Sequence, residues 1–360
     1  MHKFLLLSLF LISFSSFSQE EVDTSNAHKF RVFPLPVVYY TPETEFGFGA
    51  VSLFTFRLPG ESPTSRTSQF QLGGAYTQLD QLLFYLPFQL YRKNQEQYAF
   101  GEFGYYKYRY RFFGVGSDLP DENEEFYDVN FPRIRLNFMN LVAPDLYMGV
   151  RYWLDEYDIV KVKEGGLLDD NSITGSNGGR ISSLGFISLF DDRNNYNYPT
   201  SGNYLEVLAL PNYKFTGSDF EFTRFSLDYV KFLSYKKNVL AVNLFAVSLL
   251  GDPPFNEMAF IGGRNKMRGF FEGRFRDRNL LMTQVEYRRF LFWKLGVVAF
   301  VGYGVVANTP SEYALNQIKG SGGLGLRYRL NSEEKINIRL DYGIGEGGNN
   351  GIYLTIGEAF

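Results

Sequence analysis

The sequence predicts an all-β protein, a transmembrane antiparallel β-barrel of about sixteen strands. Three observations lead there. The first is the closing segment Gly351–Phe360, in which Ile352, Leu354, Ile356 and Phe360 fall on one face of an extended strand and Tyr353, Thr355, Gly357 and Ala359 on the other. Terminal residues of soluble domains are usually wet, whereas the last strand of an outer-membrane barrel must close the cylinder in lipid. The second is composition: 18% aromatic residues, with 26 Tyr, 37 Phe and 36 Gly, favours strands and aromatic girdles. The third is a recurring alternation of an apolar face with a charged one.

That alternation is clear in four segments. Ile336, Ile338, Leu340 and Tyr342 oppose Asn337, Arg339, Asp341 and Gly343. Leu324, Leu326, Tyr328 and Leu330 oppose Gly323, Gly325, Arg327 and Arg329. Tyr106, Tyr108, Tyr110 and Phe112 oppose Tyr105, Lys107, Arg109 and Arg111. Ile134, Leu136 and Phe138 oppose Arg133, Arg135 and Asn137. A soluble sandwich alternates too. Here the apolar faces are aromatic and the charged faces carry many arginines, which suits lipid outside and a wet lumen inside. All of these cations are expected to face the lumen.

Residues 1–18 read as a signal peptide. Lys3 supplies the positive start, Phe4 to Phe14 the apolar stretch, and Ser16 and Ser18 the small residues before a cut ahead of Gln19. Residues 19–29 form a short polar leader, expected in the periplasm, and residues 30–360 the barrel. No later apolar run approaches the ~20 residues that a spanning helix needs. Val239 to Leu250 is interrupted by Asn243 and Ser248.

Candidate strands cover 32–41, 46–58, 68–79, 82–92, 97–114, 127–142, 146–162, 181–192, 201–213, 220–235, 238–251, 280–292, 294–308, 319–331, 336–346 and 351–360. The even count places both termini in the periplasm. The long gaps 115–126, 163–180 and 252–279 then follow odd strands, on the outer side. Most turns after even strands are short, as at Lys236–Lys237 and Trp293–Lys294.

Several function classes lose support. A net charge of −3 gives no global field for nucleic acid. There is no Cys, and only His28 survives signal cleavage, so nucleophilic triads and zinc sites lack their residues. Asp169-Asp170 and Asp191-Asp192 lie in turns, where backbone geometry favours Asp. No enzyme, metal or cofactor is expected.

The gap 252–279 contains Gly262-Gly263 followed by Met267-Arg268-Gly269-Phe270. Another stretch reads Asp191-Asp192-Arg193-Asn194 with Pro199-Thr200-Ser201-Gly202. With Val285-Glu286-Tyr287-Arg288 and Arg339-Leu340-Asp341-Tyr342-Gly343, these resemble the BamA/TamA superfamily (bacterial surface antigen family) over residues 30–360. The resemblance implies that Gly262, Gly263, Met267, Arg268, Gly269 and Phe270 form a sixth outer loop folded into the barrel. It implies that Asp192, Arg193, Pro199 and Gly202 form a periplasmic turn. It also implies protein or lipid insertion or translocation at the outer membrane. Two departures stand out. The eleven residues of the leader are too few for a POTRA module, so a form without POTRA modules is expected. The family's Phe-x-Asp-x-Gly wall motif reads Phe300-Val301-Gly302-Tyr303-Gly304, so the usual acceptor for Arg268 is missing; Glu286 and Asp341 are the inward-facing candidates.

Pro34 and Pro36 remove two donors from one side of the first strand. If that side meets the last strand, the seam there is weak, and Gly351 and Gly357 weaken it further. A weak seam is a pairing template, so a homodimer is an expected partner, with a separate periplasmic partner as the other candidate; outer-membrane lipid is the expected surrounding of the barrel. The alternative function is a passive pore with an Arg-lined lumen.

Overall fold

The computed structural model describes residues 30–63, 65–332 and 335–360. The expected signal peptide and leader lie outside the described residues. The strands are β1 (Arg31–Thr41), β2 (Glu45–Phe56), β3 (Ser68–Thr77), β4 (Leu82–Arg92), β5 (Gln97–Phe112), β6 (Glu125–Ala143), β7 (Leu146–Lys161), β8 (Gly179–Asp191) and β9 (Gly202–Asn212). They continue as β10 (Phe222–Tyr235), β11 (Asn238–Gly251), β12 (Ala259–Ile261), β13 (Phe275–Asp277), β14 (Asn279–Phe292), β15 (Leu295–Ala307), β16 (Lys319–Asn331), β17 (Ile336–Gly345) and β18 (Asn350–Ile356). Sixteen of them close an antiparallel barrel in chain order, and β12 and β13 form a small hairpin outside that ladder. No described helix is long and apolar enough to cross a membrane.

The fold follows from alternation around a closed ladder. Closure satisfies the backbone groups that an open sheet would leave to lipid. Outward positions carry Phe48, Tyr76, Val150, Leu184, Leu324 and Ile344, all exposed, with Leu324 at 68%. An apolar band of that extent belongs in hydrocarbon, not water. Inward positions carry the charges, and most are paired. Asp155 accepts from Arg133 at 3.0 Å and from Arg135 at 2.6 Å. Arg151 grips Glu206 with two bonds of 3.0 Å.

The sequence reading differs from the structure at three places. On β5 the alternation is inverted: Tyr106, Tyr108 and Tyr110 pack with the inner cluster around Phe131 and Phe255. Lys107 and Arg109 therefore point outward, while Arg111, at the strand end, stacks at 3.7 Å on Phe271 of the loop. Arg109 pairs with Asp128 at 2.6 Å and Arg111 with Glu124 at 2.5 Å. These cations sit at the long-loop end of a strand, where an exposed ion pair meets headgroups or water. The tyrosines have a better partner inside, the folded-in loop. The gap 252–279 contains the β12–β13 hairpin, too short to show as periodicity. Finally, the last strand stops at Ile356, not Phe360: Gly357 adopts φ +90° and turns the chain inward.

Leu324→Arg should therefore cost roughly 2–4 kcal/mol, the penalty for a cation on a lipid face. Urea titration of barrel folding into liposomes reads this directly. An unchanged midpoint would mean that this face does not meet hydrocarbon.

Candidate functional site: a docked loop and a half-paired seam

The loop between β11 and β14 folds into the barrel and rests on the wall made by β14, β15, β17 and β18. Its tip is seated by hydrogen bonds from named elements. The Met267 N–H donates to Gln284 Oε1 at 2.7 Å. The Gly269 N–H donates to the Tyr353 hydroxyl at 3.0 Å, and that hydroxyl donates on to the Phe270 carbonyl at 3.3 Å. Within the loop, the Gly263 N–H donates to the Phe270 carbonyl at 3.0 Å.

The tip fits because the wall has glycines where it lands. A Cβ on Gly343 would lie 2.7 Å from the Arg268 carbonyl carbon, and one on Gly345 would lie 2.7 Å from the Phe270 ring. One on Gly304 would lie 2.6 Å from Met267 Sδ. Gly269 itself has φ +113°, with the Ile344 carbonyl carbon 2.6 Å from where its Cβ would be. The close approach is between two backbones, so both need glycine.

Arg268 lies at the centre, fully buried. It donates to Glu286 Oε1 and to Asp341 Oδ2, and its guanidinium carbon stands 3.7 Å from the Phe300 ring centre. Glu286 also pairs with Arg288 at 2.9 Å. Asp341 also pairs with Arg327 at 2.5 Å and with Arg339 at 3.5 Å. Arg327 reaches Glu358 at 2.8 Å. Four arginines and three carboxylates, none more than 3% exposed, thus form one buried cluster. Gly302, at the wall position where the family resemblance implies Asp, has no acceptor to offer. The charge is supplied instead from β14 and β17. A Cβ on Gly302 would lie 3.3 Å from Met267 Cγ, so the small residue also makes room for the tip.

The turn between β8 and β9 is built by its own side chains. Arg193 holds Asp191 with bonds of 2.7 and 2.8 Å and stacks on Tyr204 at 4.6 Å. Asp192 accepts from the Asn203 N–H. Pro199 is buried, and Gly202 has φ +102°, where a Cβ would lie 2.5 Å from the Asp192 carbonyl oxygen. This constellation shapes a turn and holds nothing chemically reactive.

The seam joins β1 to β18. Among the described residues, Tyr40 opposite Leu354 is the single register pair across it, whereas β1 pairs with β2 along its whole length. The direction of the β1 backbone groups follows from its neighbours. The Gln78 N–H donates to the Phe46 carbonyl at 2.8 Å, so even residues of β2 bond to β3 and odd ones to β1. Odd residues of β1 then bond to β2, and even ones face the seam. Pro34 and Pro36 are even, so the seam side of β1 lacks both donors. Gly351 sits under the Tyr353 ring, with the hydroxyl oxygen 2.6 Å from where its Cβ would be.

Beyond Ile356 the chain leaves the seam. Glu358 accepts from Arg327 and, at 2.6 Å, from Asn337 Nδ2; the Phe360 main-chain oxygen accepts from Arg288 at 2.8 Å. Phe360 packs with Tyr198, Phe232 and Val239 inside the barrel. It is not a lipid-facing strand residue. The sequence reading placed Arg327 on an inward face but did not join Arg288, Arg327 and Glu358 in one cluster; the inward turn at Gly357 breaks the periodicity that would locate Glu358.

A family model, the Omp85 superfamily domain, matches residues 67–360. The chain belongs to the Omp85 superfamily. Solved structures of similar fold include a BamA from Haemophilus ducreyi lacking POTRA domains 1–3, with TM-score 0.61 and 15% identity over 92% of this chain and 70% of that one. CdiB from Acinetobacter baumannii gives TM-score 0.57 and 14% identity over 90% of this chain and 59% of its own. CdiB from Escherichia coli gives 0.56 and 10%, over 89% and 61%. At such identity the shared property is the fold. No curated protein matches the chain. Omp85 barrels reside in the bacterial outer membrane and act in assembly or transport.

Two outcomes follow from the docked loop. Arg268→Ala removes one of the partners of each of two buried carboxylates and should cost roughly 3–5 kcal/mol, as breaking a buried pair does. Arg268→Lys should rescue only part, because one ammonium cannot reproduce the forked geometry. The temperature at which the barrel loses its compact electrophoretic mobility measures both. Separately, the Glu272 N–H donates to Glu43 Oε1 at 3.1 Å, tying the loop to the β1–β2 turn. Burial, and then the charge of Glu43, push the Glu272 carboxyl up to about 7, against Arg264, Arg276 and Arg133. A carboxyl raised on folding stabilises most below its ordinary value near 4.5 and loses that contribution as pH rises through 7. Heat stability should fall between pH 5 and 8, and Glu272→Gln should flatten that slope.

Proposed function

We propose that this barrel inserts or translocates protein or lipid at the outer membrane by opening laterally at the β1–β18 seam, with its loop serving as a lumenal plug. The single observation carrying this reading is the seam itself. One register pair and two missing donors make it the weakest join in an otherwise continuous ladder. The loop supports the same reading, because a lumen filled by a docked segment is a poor steady conduit. A passive Arg-lined pore is less well supported: most inward arginines are engaged with carboxylates or the loop. In this reading the short turns and both termini face the periplasm. Outer-membrane lipid surrounds the barrel, and a second copy or a separate periplasmic partner delivers clients to the turn end.

The chain has no cysteine, which makes a lock simple to build. Tyr40→Cys with Leu354→Cys places a disulfide across the one paired position. A strain lacking the gene should regain normal growth and outer-membrane composition with the reduced double variant and not with the oxidised one. Full rescue by the oxidised, verified cross-link would remove lateral opening. In planar bilayers the native protein should give a low, flickering conductance; a large steady one would return the pore to favour.

A further inference from the structure

The inner wall of β1–β3 differs from the rest of the lumen. Odd residues of these strands point inward: Tyr39 lies over Gly47, and the Tyr85 ring stands 2.5 Å from a Cβ built on Gly73. Both tyrosines interact electrostatically with Arg264 of the folded-in loop. By the same register Phe33, Leu35, Val37, Val51 and Leu53 face the lumen as well. Phe33 is 46% exposed and Leu35 36%, and the other three are half-buried. Elsewhere inward positions carry paired charges or apolar side chains buried in packed clusters. Here an apolar stripe lies beside a floor of small residues, Gly49, Gly73 and Ala75.

The stripe runs along the unpaired part of the seam. Below Tyr40 and Leu354 the tail turns inward at Gly357, so the Arg31–Val37 half of β1 has no ladder partner on that side among the described residues. The outward face there is apolar too, with Val32 and Val38 exposed. Bilayer and stripe are therefore continuous around one strand edge. What could lie there is narrowed by the backbone. An extended peptide adding to β1 needs its N–H donors, and Pro34 and Pro36 supply none. Proline on an edge is a device against strand addition. A hydrocarbon chain needs no donors and gains from apolar contact.

We infer that the inward face of β1–β3 is a binding groove for the acyl chain of a membrane phospholipid, entering from the bilayer past the unpaired half of β1. Arg264, an exposed residue of the docked loop within electrostatic reach of Tyr39 and Tyr85, is the cation placed to meet a phosphate headgroup. This rests on the lateral-opening reading and deepens it, because it names lipid rather than an unfolded strand as the substrate class at this site.

Photo-cross-linking of the full-length protein in its native membrane tests this. p-Benzoylphenylalanine replaces Leu53 (groove), Phe54 (outward face, which should always meet lipid) or Trp153 (inward face of β7, away from the groove). Intact-mass analysis after irradiation should show a phospholipid adduct at 53 and 54 and none at 153. An adduct at 54 but not at 53 overturns the inference. So does a peptide adduct at 53, or equal lipid labelling at 53 and 153. With the cross-linker at Leu35, Leu53→Arg should lower the lipid adduct by roughly tenfold, since a charge facing a hydrocarbon chain is strongly disfavoured; an unchanged yield also counts against the groove. The adduct reports occupancy and not activity. Lipid at 53 together with full rescue by the oxidised seam lock would keep the groove and remove lateral opening.

Discussion

The interaction on which the structure depends is the guanidinium of Arg268 held between Glu286 and Asp341. Bringing three charges out of water is costly, and the attraction repays it only when geometry and further hydrogen bonds are complete. Arg288, Arg327 and Arg339 share the same two carboxylates and fix their positions. Removing Arg268 takes one contact from each of two carboxylates at once. The cluster therefore behaves as a unit, and it joins three parts that are distant in sequence: the loop tip, the wall of β14, β16 and β17, and the tail beyond Ile356.

That linkage gives the seam its form. Glu358 is tied to Arg327, and Arg288 to the Phe360 main-chain oxygen, so residues 357–360 lie in the lumen and cannot lengthen β18. Continued in the register of Tyr40 and Leu354, the tail would have faced Pro34 to Val37. Two of those four positions have no donor, so little ladder energy is forfeited by turning away. The prolines on one strand and the inward pull on the other act in the same direction. Each makes the other inexpensive, and together they leave half of β1 open to the membrane.

Much of this was legible in the sequence, for a definite reason. Period-two alternation survives wherever lipid and lumen differ, as in Ile336–Gly343 and Ile134–Phe138, so strand number, loop lengths and most facings can be read from it. It fails where that contrast fails. On β5 the tyrosines find an inner partner in the folded loop while the cations lie beyond the hydrocarbon, and the pattern reads backwards. The acceptors of Arg268 were within reach because Glu286 and Asp341 are acids on inward faces. The glycines that seat the tip, Gly304, Gly343 and Gly345, look like ordinary barrel glycines until the loop is laid on them. The inward turn at Gly357 carries no periodic signal, and with it the roles of Glu358 and Phe360 were hidden.

The same contrast bears on what the open edge is for. A strand edge kept free for pairing with protein would retain its donors and present side chains that a partner strand could match. β1 has lost two donors where the gap is, and it shows apolar side chains on both faces, Val32 and Val38 outside with Phe33 and Leu35 inside. Water should not favour that arrangement, and elsewhere in the lumen apolar side chains are buried in packed clusters. A surface wetted by hydrocarbon on both sides of one strand removes the conflict: the edge is then a place where the bilayer folds over the rim of the sheet, and the missing hydrogen bonds prevent a polypeptide from taking the same place.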